Sequence, residues 1–375
     1  MNSARTPKRA FLKRRSTRIV LLVVAVAFVA MWFRGPAPTP ARGSGQPMQA
    51  IVYDEYGPPD VLRLEQIEKL LPEDHQVLVK VHAAAANPLD WHYMRGTPYL
   101  MRMDSGAFKP KVGRLGVDLA GRVEAVGRNV TQFKPGDEVF GSGGGAFAEY
   151  ARASEKRIAL KPANLSFEHA AAVPIAALTA LQGLRDKGHL KPGQKVLING
   201  ASGGVGTFAV QIAKVLGAEV TGVCSTRNVE MVRSLGADHV IDYTKANFTE
   251  GTGRYDLILD NVGNHPLLDY RRVMTPKGTY VLIGGGGPDA GNWIGPFAAV
   301  IRAYLLSPFV DQEFVMLLAE VNQDDLGLLG EWMAAKKVTP VIDRTYALSE
   351  VPEAIRYLET GRARGKVIIT VASED

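Results

Sequence analysis

The chain has 375 residues, of which 46% are hydrophobic and 22% are charged, so it can fill the cores of two ordinary domains and is too apolar for a disordered protein. Nine basic residues and no Asp or Glu lie in positions 1–48, so the net charge of +6 leaves about −3 for the rest, which argues against a nucleic-acid partner. The single Cys224 excludes an internal disulfide and a cysteine-rich zinc site.

The first 34 residues form a basic arm with an apolar run of fifteen residues, 19–33. A membrane-spanning helix needs roughly 20 residues, but Arg18 and Arg34 at the two ends can reach toward the lipid headgroups. The pattern therefore predicts an N-terminal hydrophobic helix that acts as a single-pass membrane anchor, with its orientation left open. Cleavage of a signal peptide followed by export is the alternative. A linker rich in Pro, Gly and Ser follows over 35–47.

The globular part begins at Met48, and its first section has short strand patterns separated by Gly and Pro. Gln49–Tyr53, Val77–Val81 and Glu138–Phe140 are predicted strands. This section is therefore expected to form a compact β-rich lobe.

From about residue 170 the pattern alternates between buried strands and amphipathic helices. Such alternation favours an α/β fold with a doubly wound parallel sheet. The predicted elements are strand Lys195–Asn199, helix Gly204–Leu216 ending at Gly217, strand Glu219–Cys224, helix Asn228–Leu235, and strands His239–Ile241, Leu257–Asp260, Tyr280–Ile283 and Lys366–Val371. The very apolar stretch Trp293–Val310 is either a core helix, a lid over a hydrophobic substrate or a second membrane contact.

A glycine-rich turn, Gly200-Ala-Ser-Gly-Gly-Val-Gly206, follows one of these strands directly and opens a helix. Residues without a Cβ let a pyrophosphate approach the backbone, and the helix N-terminus offers N–H donors and a positive dipole. The spacing is GxxGxxG, a variant of the dinucleotide fingerprint. We expect the cofactor phosphates to contact Gly200, Ser202, Gly203, Gly204, Val205 and Gly206.

The next strand indicates which dinucleotide binds. An NAD site has an acidic residue near its end for the ribose 2′-hydroxyl, whereas this strand is followed by Ser225, Thr226 and Arg227. Hydroxyls and a guanidinium suit a 2′-phosphate, so the cofactor is predicted to be NADPH.

Several segments together resemble the medium-chain dehydrogenase/reductase superfamily, in the zinc-free quinone oxidoreductase branch that includes the chloroplast-envelope quinone oxidoreductase homologue. The resemblance covers about residues 48–371. The segments that carry it are Asn87-Pro-Leu-Asp-Trp91, Gly116-Val-Asp-Leu-Ala-Gly121, Ala171-Ala-Val-Pro174, Leu178-Thr-Ala180, the glycine turn, Leu235-Gly-Ala-Asp238, Ile241-Asp-Tyr243, Asp260-Asn-Val-Gly263 and Gly365-Lys366.

This resemblance implies a GroES-like catalytic domain, formed by 48–169 and 323–375, and a Rossmann NADP-binding domain over 170–322, with the active site between them. Relatives are often homodimers. Zinc-dependent members of the superfamily carry a cysteine where Asn87 stands and a Gly-His-Glu where Gly116-Val117-Asp118 stands, so no metal is expected here. The resemblance places Thr179, Asn261 and Gly284 near the nicotinamide, Tyr243 near the adenosine phosphate and Lys366 near the pyrophosphate.

The expected activity is NADPH-dependent hydride transfer to a quinone or an α,β-unsaturated carbonyl, a small lipophilic substrate. The substrate oxygen then needs a hydrogen-bond donor, for which Asn87, His92, Tyr93 and Tyr99 are the candidates. Two alternatives stay open: an NADPH-binding scaffold or redox sensor tethered to a membrane, with little catalysis, and a reductase of enoyl thioesters.

Overall fold

The computed structural model describes residues 43–284 and 310–371. The strands in chain order are β1 (Gly43–Val52), β2 (Arg63–Leu70), β3 (Gln76–Ala86), β4 (Asp118–Val126), β5 (Glu138–Ser142), β6 (Tyr150–Ser154), β7 (Ile158–Leu160), β8 (Lys195–Asn199), β9 (Glu219–Cys224), β10 (His239–Asp242), β11 (Tyr255–Asp260), β12 (Met274–Leu282), β13 (Glu313–Met316), β14 (Ile342–Ala347) and β15 (Lys366–Thr370). The helices are α1 (Pro88–Arg95), α2 (Arg102–Ser105), α3 (Phe167–Ala171), α4 (Pro174–Gln182), α5 (Gly204–Val215), α6 (Val229–Ser234), α7 (Leu267–Arg272), α8 (Gln323–Ala334) and α9 (Val351–Glu359).

One lobe, called here the αβ lobe, is built on a six-stranded sheet in the order β10-β9-β8-β11-β12-β13. All neighbouring strands in it are parallel. Side chains alternate between two apolar cores, since Val196 and Ile198 pack on one face and Leu197 packs on the other. This order is that of a Rossmann fold, and it confirms the predicted doubly wound sheet.

The other lobe, called here the β-rich lobe, contains the mixed sheet β14-β15-β3-β4-β5-β7, with β6 also paired to β3. Strand β15 runs antiparallel to β3, with Val367 opposite Ala86. The last strand, β15, therefore follows the whole αβ lobe in the sequence and pairs with a strand that precedes that lobe.

The predicted linker needs a correction at its end. Residues 43–47 belong to β1, which pairs with β2, and the Glu68 carboxylate accepts a hydrogen bond from the backbone N–H of Gly45 at 2.8 Å. These bonds hold the backbone extended despite the Gly and Pro content.

The hydrophobic-helix segment 19–33, the first part of the linker and nearly all of the apolar stretch 293–310 lie outside the described residues. Within the two described ranges, we find no helix with the length and hydrophobicity required to cross a bilayer.

Candidate active site

The glycine turn links the carboxyl end of β8 to the first turn of α5. Gly200 has φ of +77°, a left-handed conformation that favours glycine. A Cβ on Gly206 would lie 2.1 Å from the Gly200 carbonyl oxygen, so the turn cannot close around a side chain there. A Cβ on Gly203 would meet nothing nearer than 3.6 Å, so the fold itself leaves open space above this residue. That space at a helix N-terminus fits a phosphate.

Residues beyond β9 surround the expected adenosine end. Arg227 is exposed and donates to the Arg362 carbonyl at 2.6 Å. The Tyr243 backbone N–H bonds to the Cys224 carbonyl at 3.0 Å, and its ring is 61% exposed. Ser225, Arg227 and Tyr243 therefore lie around the ends of β9 and β10, and their contact with a cofactor stays a prediction.

An acidic neighbour complicates this end. The hydroxyl of Thr226 donates to the Asp242 carboxylate at 2.6 Å, so the proton predicted to reach a 2′-phosphate is already used. Hydrogen bonds from Thr226 and Thr244, with the nearby Lys245, lower the pKa of Asp242 to about 2. Sequence reasoning missed this carboxylate because it lies on β10, a strand later than the position where NAD-binding acids are sought.

A second missed residue, Asn228, joins the two loops of the cofactor site. Its side-chain amide donates to Ser202 Oγ at 3.0 Å and to Ser225 Oγ at 3.2 Å. Its Oδ1 is buried and has no hydrogen-bond partner among the described residues. Asn228 holds the glycine turn against the end of β9, and its unused acceptor fits a donor group on a bound dinucleotide.

The expected nicotinamide end lies after β11. Asn261 donates from Nδ2 to the Asn199 carbonyl at 2.9 Å, while its buried Oδ1 has no partner within residues 43–284 and 310–371. A Cβ on Gly284 would come 3.3 Å from the Asn261 carbonyl, so these two predicted residues are adjacent. The buried hydroxyl of Thr179 donates to the Ile175 carbonyl at 2.6 Å, which leaves its oxygen as an acceptor. The unpaired acceptors suit a carboxamide, so the residues present fit a nicotinamide dinucleotide.

The β-rich lobe contributes a buried polar cluster of Asn87, Asp118 and Lys366, each at most 3% exposed. Lys366 Nζ donates to Asn87 Oδ1 at 2.6 Å and to Asp118 Oδ2 at 3.3 Å. Asn87 Nδ2 donates to Asp118 Oδ2 at 2.9 Å and to the Ala85 carbonyl at 3.1 Å. Both amide hydrogens of Asn87 are therefore taken, which makes it a poor donor to a substrate oxygen.

Asp90 stabilises the same cluster through the backbone of Asn87. Its carboxyl oxygens accept from the backbone N–H groups of Asn87 at 2.8 Å and Gly116 at 3.0 Å. Complete burial raises the pKa of Asp90 to about 7, although these hydrogen bonds oppose the rise. Asp90 therefore orders the start of α1 and is removed from solvent, so it organises the site without direct access to a substrate.

His92 lies on α1, with Nδ1 2.6 Å from the Thr97 carbonyl oxygen. A carbonyl only accepts, so Nδ1 must carry the hydrogen and Nε2 of the neutral ring is an acceptor. Burial lowers the pKa of His92, which favours this neutral form. The predicted proton donor thus has no proton at its remaining nitrogen.

Of the two candidate tyrosines, Tyr93 is half-buried on α1, and burial raises its pKa, so its phenol keeps its proton at neutral pH. The ring of Tyr99 faces the Arg102 guanidinium, with 4.6 Å from Cζ to the ring centroid. Tyr93 therefore retains a phenolic hydrogen that it can donate in a hydrogen bond.

The two lobes meet where these groups lie. Gly365 N donates to the Ser202 carbonyl at 2.9 Å, and Gly203 pairs with Gly365 in a parallel bridge. The glycine turn is thereby fixed to the residue before Lys366.

Within residues 43–284 and 310–371, no group of three or more His, Cys, Asp or Glu side chains is arranged to hold a metal ion. A Rossmann lobe whose glycine turn is joined to a GroES-like lobe defines the class of two-domain nicotinamide-dependent oxidoreductases.

Comparisons with known proteins agree with this geometry. Residues 73–163 match the alcohol dehydrogenase GroES-like domain, and residues 235–369 match the zinc-binding dehydrogenase family. The chain is 37% identical to the mouse NAD(P)H oxidoreductase RTN4IP1, mitochondrial, over 90% of this chain and 92% of that protein. It is 36% identical to the tomato 2-methylene-furan-3-one reductase, over 86% of this chain and 79% of the relative. The quinone oxidoreductase structure from Coxiella burnetii superposes with a TM-score of 0.75 at 32% identity, covering 87% of this chain and all of that one.

The chain belongs to the medium-chain dehydrogenase/reductase superfamily, among relatives of the quinone oxidoreductase type.

The predicted membrane localisation is wrong on these findings. Relatives that match most of the chain are named mitochondrial or chloroplastic, and the described residues contain no membrane-spanning helix. The short run 19–33 had suggested an anchor because its hydrophobicity alone does not distinguish a span from other N-terminal signals.

Proposed function

We propose that this protein transfers a hydride from NADPH to a quinone or an α,β-unsaturated carbonyl, without zinc. The observation that carries the proposal is the junction between the glycine turn and the buried cluster of Asn87, Asp118 and Lys366. A dinucleotide on the turn and a substrate beside the cluster would share one cleft. The names of the relatives support this substrate class.

We assign the domains as in the sequence analysis: 48–169 with 323–375 for catalysis and 170–322 for the cofactor. The mixed sheet supports this division, because β15 pairs with β3. The residues proposed to bind the phosphates and ribose are Gly200, Ser202, Gly203, Gly204, Val205, Gly206, Ser225, Thr226, Arg227 and Tyr243. Those proposed at the nicotinamide are Thr179, Asn261 and Gly284.

A bound nicotinamide would supply the hydride to a carbon of the substrate. Negative charge then develops on the substrate oxygen, and a positive or protonated group close to that oxygen lowers the barrier. We assign this role to two groups, the ammonium of Lys366 within the cluster and the protonated phenol of Tyr93. His92 bonds to the Thr97 carbonyl, and both amide hydrogens of Asn87 are already donated, so we assign these two residues structural roles.

The zinc positions of the superfamily support a metal-free reaction. In zinc-dependent members, a cysteine stands at the Asn87 position, and a histidine and a glutamate stand at the Val117 and Asp118 positions. This chain has Asn87 and Asp118 there instead. Here those side chains bond to each other and to Lys366, so an ammonium group provides the positive charge of the cluster. Positive charge fixed by the protein can perform the electrostatic part of a metal ion's task.

Turnover with purified full-length protein tests the proposal. NADPH absorbance is followed with a quinone, an enone, an enoyl thioester and a saturated aldehyde, and each is repeated with NADH. Consumption of NADPH with the quinone or enone, and none with the aldehyde, is the expected result. Tight NADPH binding without turnover of any acceptor would instead favour a scaffold or redox sensor. Preference for the thioester would shift the substrate class.

A further inference from the structure

We infer that Asp118 is a positioning residue of this reaction: through its two carboxylate oxygens it fixes Asn87 and Lys366 against the cofactor-binding lobe. The readout by turnover rests on the proposed function. The geometry itself, a wholly buried carboxylate that joins three elements of the two lobes, is independent of the substrate.

Every partner of the Asp118 carboxylate is a hydrogen-bond donor. Oδ1 accepts from the backbone N–H of Ile175 at 3.1 Å, and Oδ2 accepts from Asn87 Nδ2 at 2.9 Å and from Lys366 Nζ at 3.3 Å. Burial raises the pKa of Asp118, whereas the neighbouring Lys366 and the three donated hydrogen bonds oppose this rise and favour the ionised form. Asp118 is therefore an acceptor that collects three groups around one point.

Those three groups come from separate parts of the chain. Asn87 immediately precedes α1, which carries His92 and Tyr93. Lys366 begins β15, and Ile175 lies in the first turn of α4, the helix that carries Thr179. One side chain thus sets the distance between the predicted donor helix, the ammonium group and a nicotinamide-side helix.

The position of Lys366 gives this arrangement a use. Its aliphatic stem passes the start of α5, where a Cβ on Gly204 would lie 3.3 Å from the lysine Cδ. Within the described part of the chain, two of its three ammonium hydrogens are donated to Asn87 and Asp118, and we assign the third to a substrate oxygen. Asp118 and Asn87 aim that remaining hydrogen, and small errors in such aim reduce catalytic rates strongly.

A purely structural ion pair would behave differently. Removing one partner of a buried pair leaves an uncompensated charge and destabilises the fold, whereas neutralising both partners often restores stability. The double variant Asp118→Asn/Lys366→Met therefore separates stability from positioning. A matched control is Glu138→Gln, because Glu138 pairs with the buried Lys161 at 3.0 Å on the same sheet, away from the cluster.

The experiment compares the wild type with Asp118→Asn, Lys366→Arg, the double variant and Glu138→Gln. Thermal unfolding is measured first. Turnover and NADPH affinity, the latter by titration calorimetry, are then measured at a temperature where every variant is folded. We expect Asp118→Asn to lower kcat by about thirtyfold or more, since misplaced catalytic groups typically reduce rates on this scale. The substrate KM should change less. The double variant should regain thermal stability but not kcat, and Lys366→Arg should retain part of it.

Recovery of kcat together with stability in the double variant would overturn the inference, as would wild-type kcat in a folded Asp118→Asn. Absence of turnover in the wild type would refute the proposed function instead. In that case NADPH affinity still reports on Asp118, since loosening the lobes should weaken binding about fivefold or more, and an unchanged affinity would count against positioning.

Discussion

Gly203 offers the sharpest test of the cofactor site, because the structure separates its role in folding from its role in binding. Its backbone is extended, with φ of −83°, and a Cβ there would make only ordinary contact with the Gly200 carbonyl, at 3.6 Å. The substitution Gly203→Ala should therefore cost less than about 1 kcal/mol in stability, the usual scale for a changed helix N-cap.

Its effect on NADPH should be larger. The methyl group would occupy the open space above the N-terminus of α5, where the pyrophosphate has to meet backbone N–H groups. Loss of one or two hydrogen bonds to a charged group, at roughly 1.5–3 kcal/mol each, weakens binding on the order of tenfold to a hundredfold or more. Titration calorimetry with NADPH and thermal unfolding measure the two effects separately.

Two comparison variants frame the result. Gly327→Ala on α8 introduces a Cβ that meets nothing within 4 Å, so it should leave NADPH affinity unchanged. Gly206→Ala, whose Cβ would lie 2.1 Å from the Gly200 carbonyl, should lose both stability and binding. Wild-type affinity in Gly203→Ala would refute a dinucleotide resting on this turn.

Three other outcomes follow from the site. Because Arg227 is exposed, Arg227→Ala should leave thermal stability unchanged. It should reduce the preference for NADPH over NADH by roughly tenfold, the contribution of one charge-assisted contact. An equal loss of affinity for both cofactors would show that Arg227 does not bind the 2′-phosphate. The pKa of Asp90, about 7 in the fold against 3.8 for the free side chain, means that the native state binds more protons than the unfolded one between these values, so stability should fall as pH rises from 4 to 7. Relative to Asp90→Asn, this fall should be at most about 4 kcal/mol in denaturant titrations, and parallel profiles for the two proteins would contradict it. Since neutral His92 has no proton on Nε2, His92→Asn should lower kcat by less than about tenfold and leave the pH profile of kcat unchanged; a larger loss confined to kcat would restore His92 as the acid.

The parallel sheet was predictable because its strands are short, buried apolar runs bounded by turns. Lys195–Asn199 and Glu219–Cys224 have the predicted boundaries for this reason, and the glycine turn between them follows from local chain geometry alone. Periodicity and turn chemistry act over a few residues, so they reach this far without tertiary information.

The polar cluster was not predictable in the same way. Lys366 and Asn87 are separated by 279 positions, and no local pattern indicates that one ammonium group donates to both Asn87 and Asp118. His92 is one of four candidate donors by residue type, yet the Thr97 carbonyl five residues later fixes its tautomer. Hydrogen-bond partners of this kind emerge only when distant strands and turns are packed together.

The pairing of β15 with β3 has a consequence for synthesis. The strand that finishes the mixed sheet emerges from the ribosome only after the entire αβ lobe has been made. The nascent αβ lobe can fold first, while Ala83–Ala86 of β3 still lack β15, the strand that pairs with them along one edge, and are prone to wrong partners; Gln76–Lys80 already pair with β6. Lys366 begins that last strand, so a nascent chain halted before it would lack both the β15 partner of Ala83–Ala86 and the ammonium group proposed to act in the reaction.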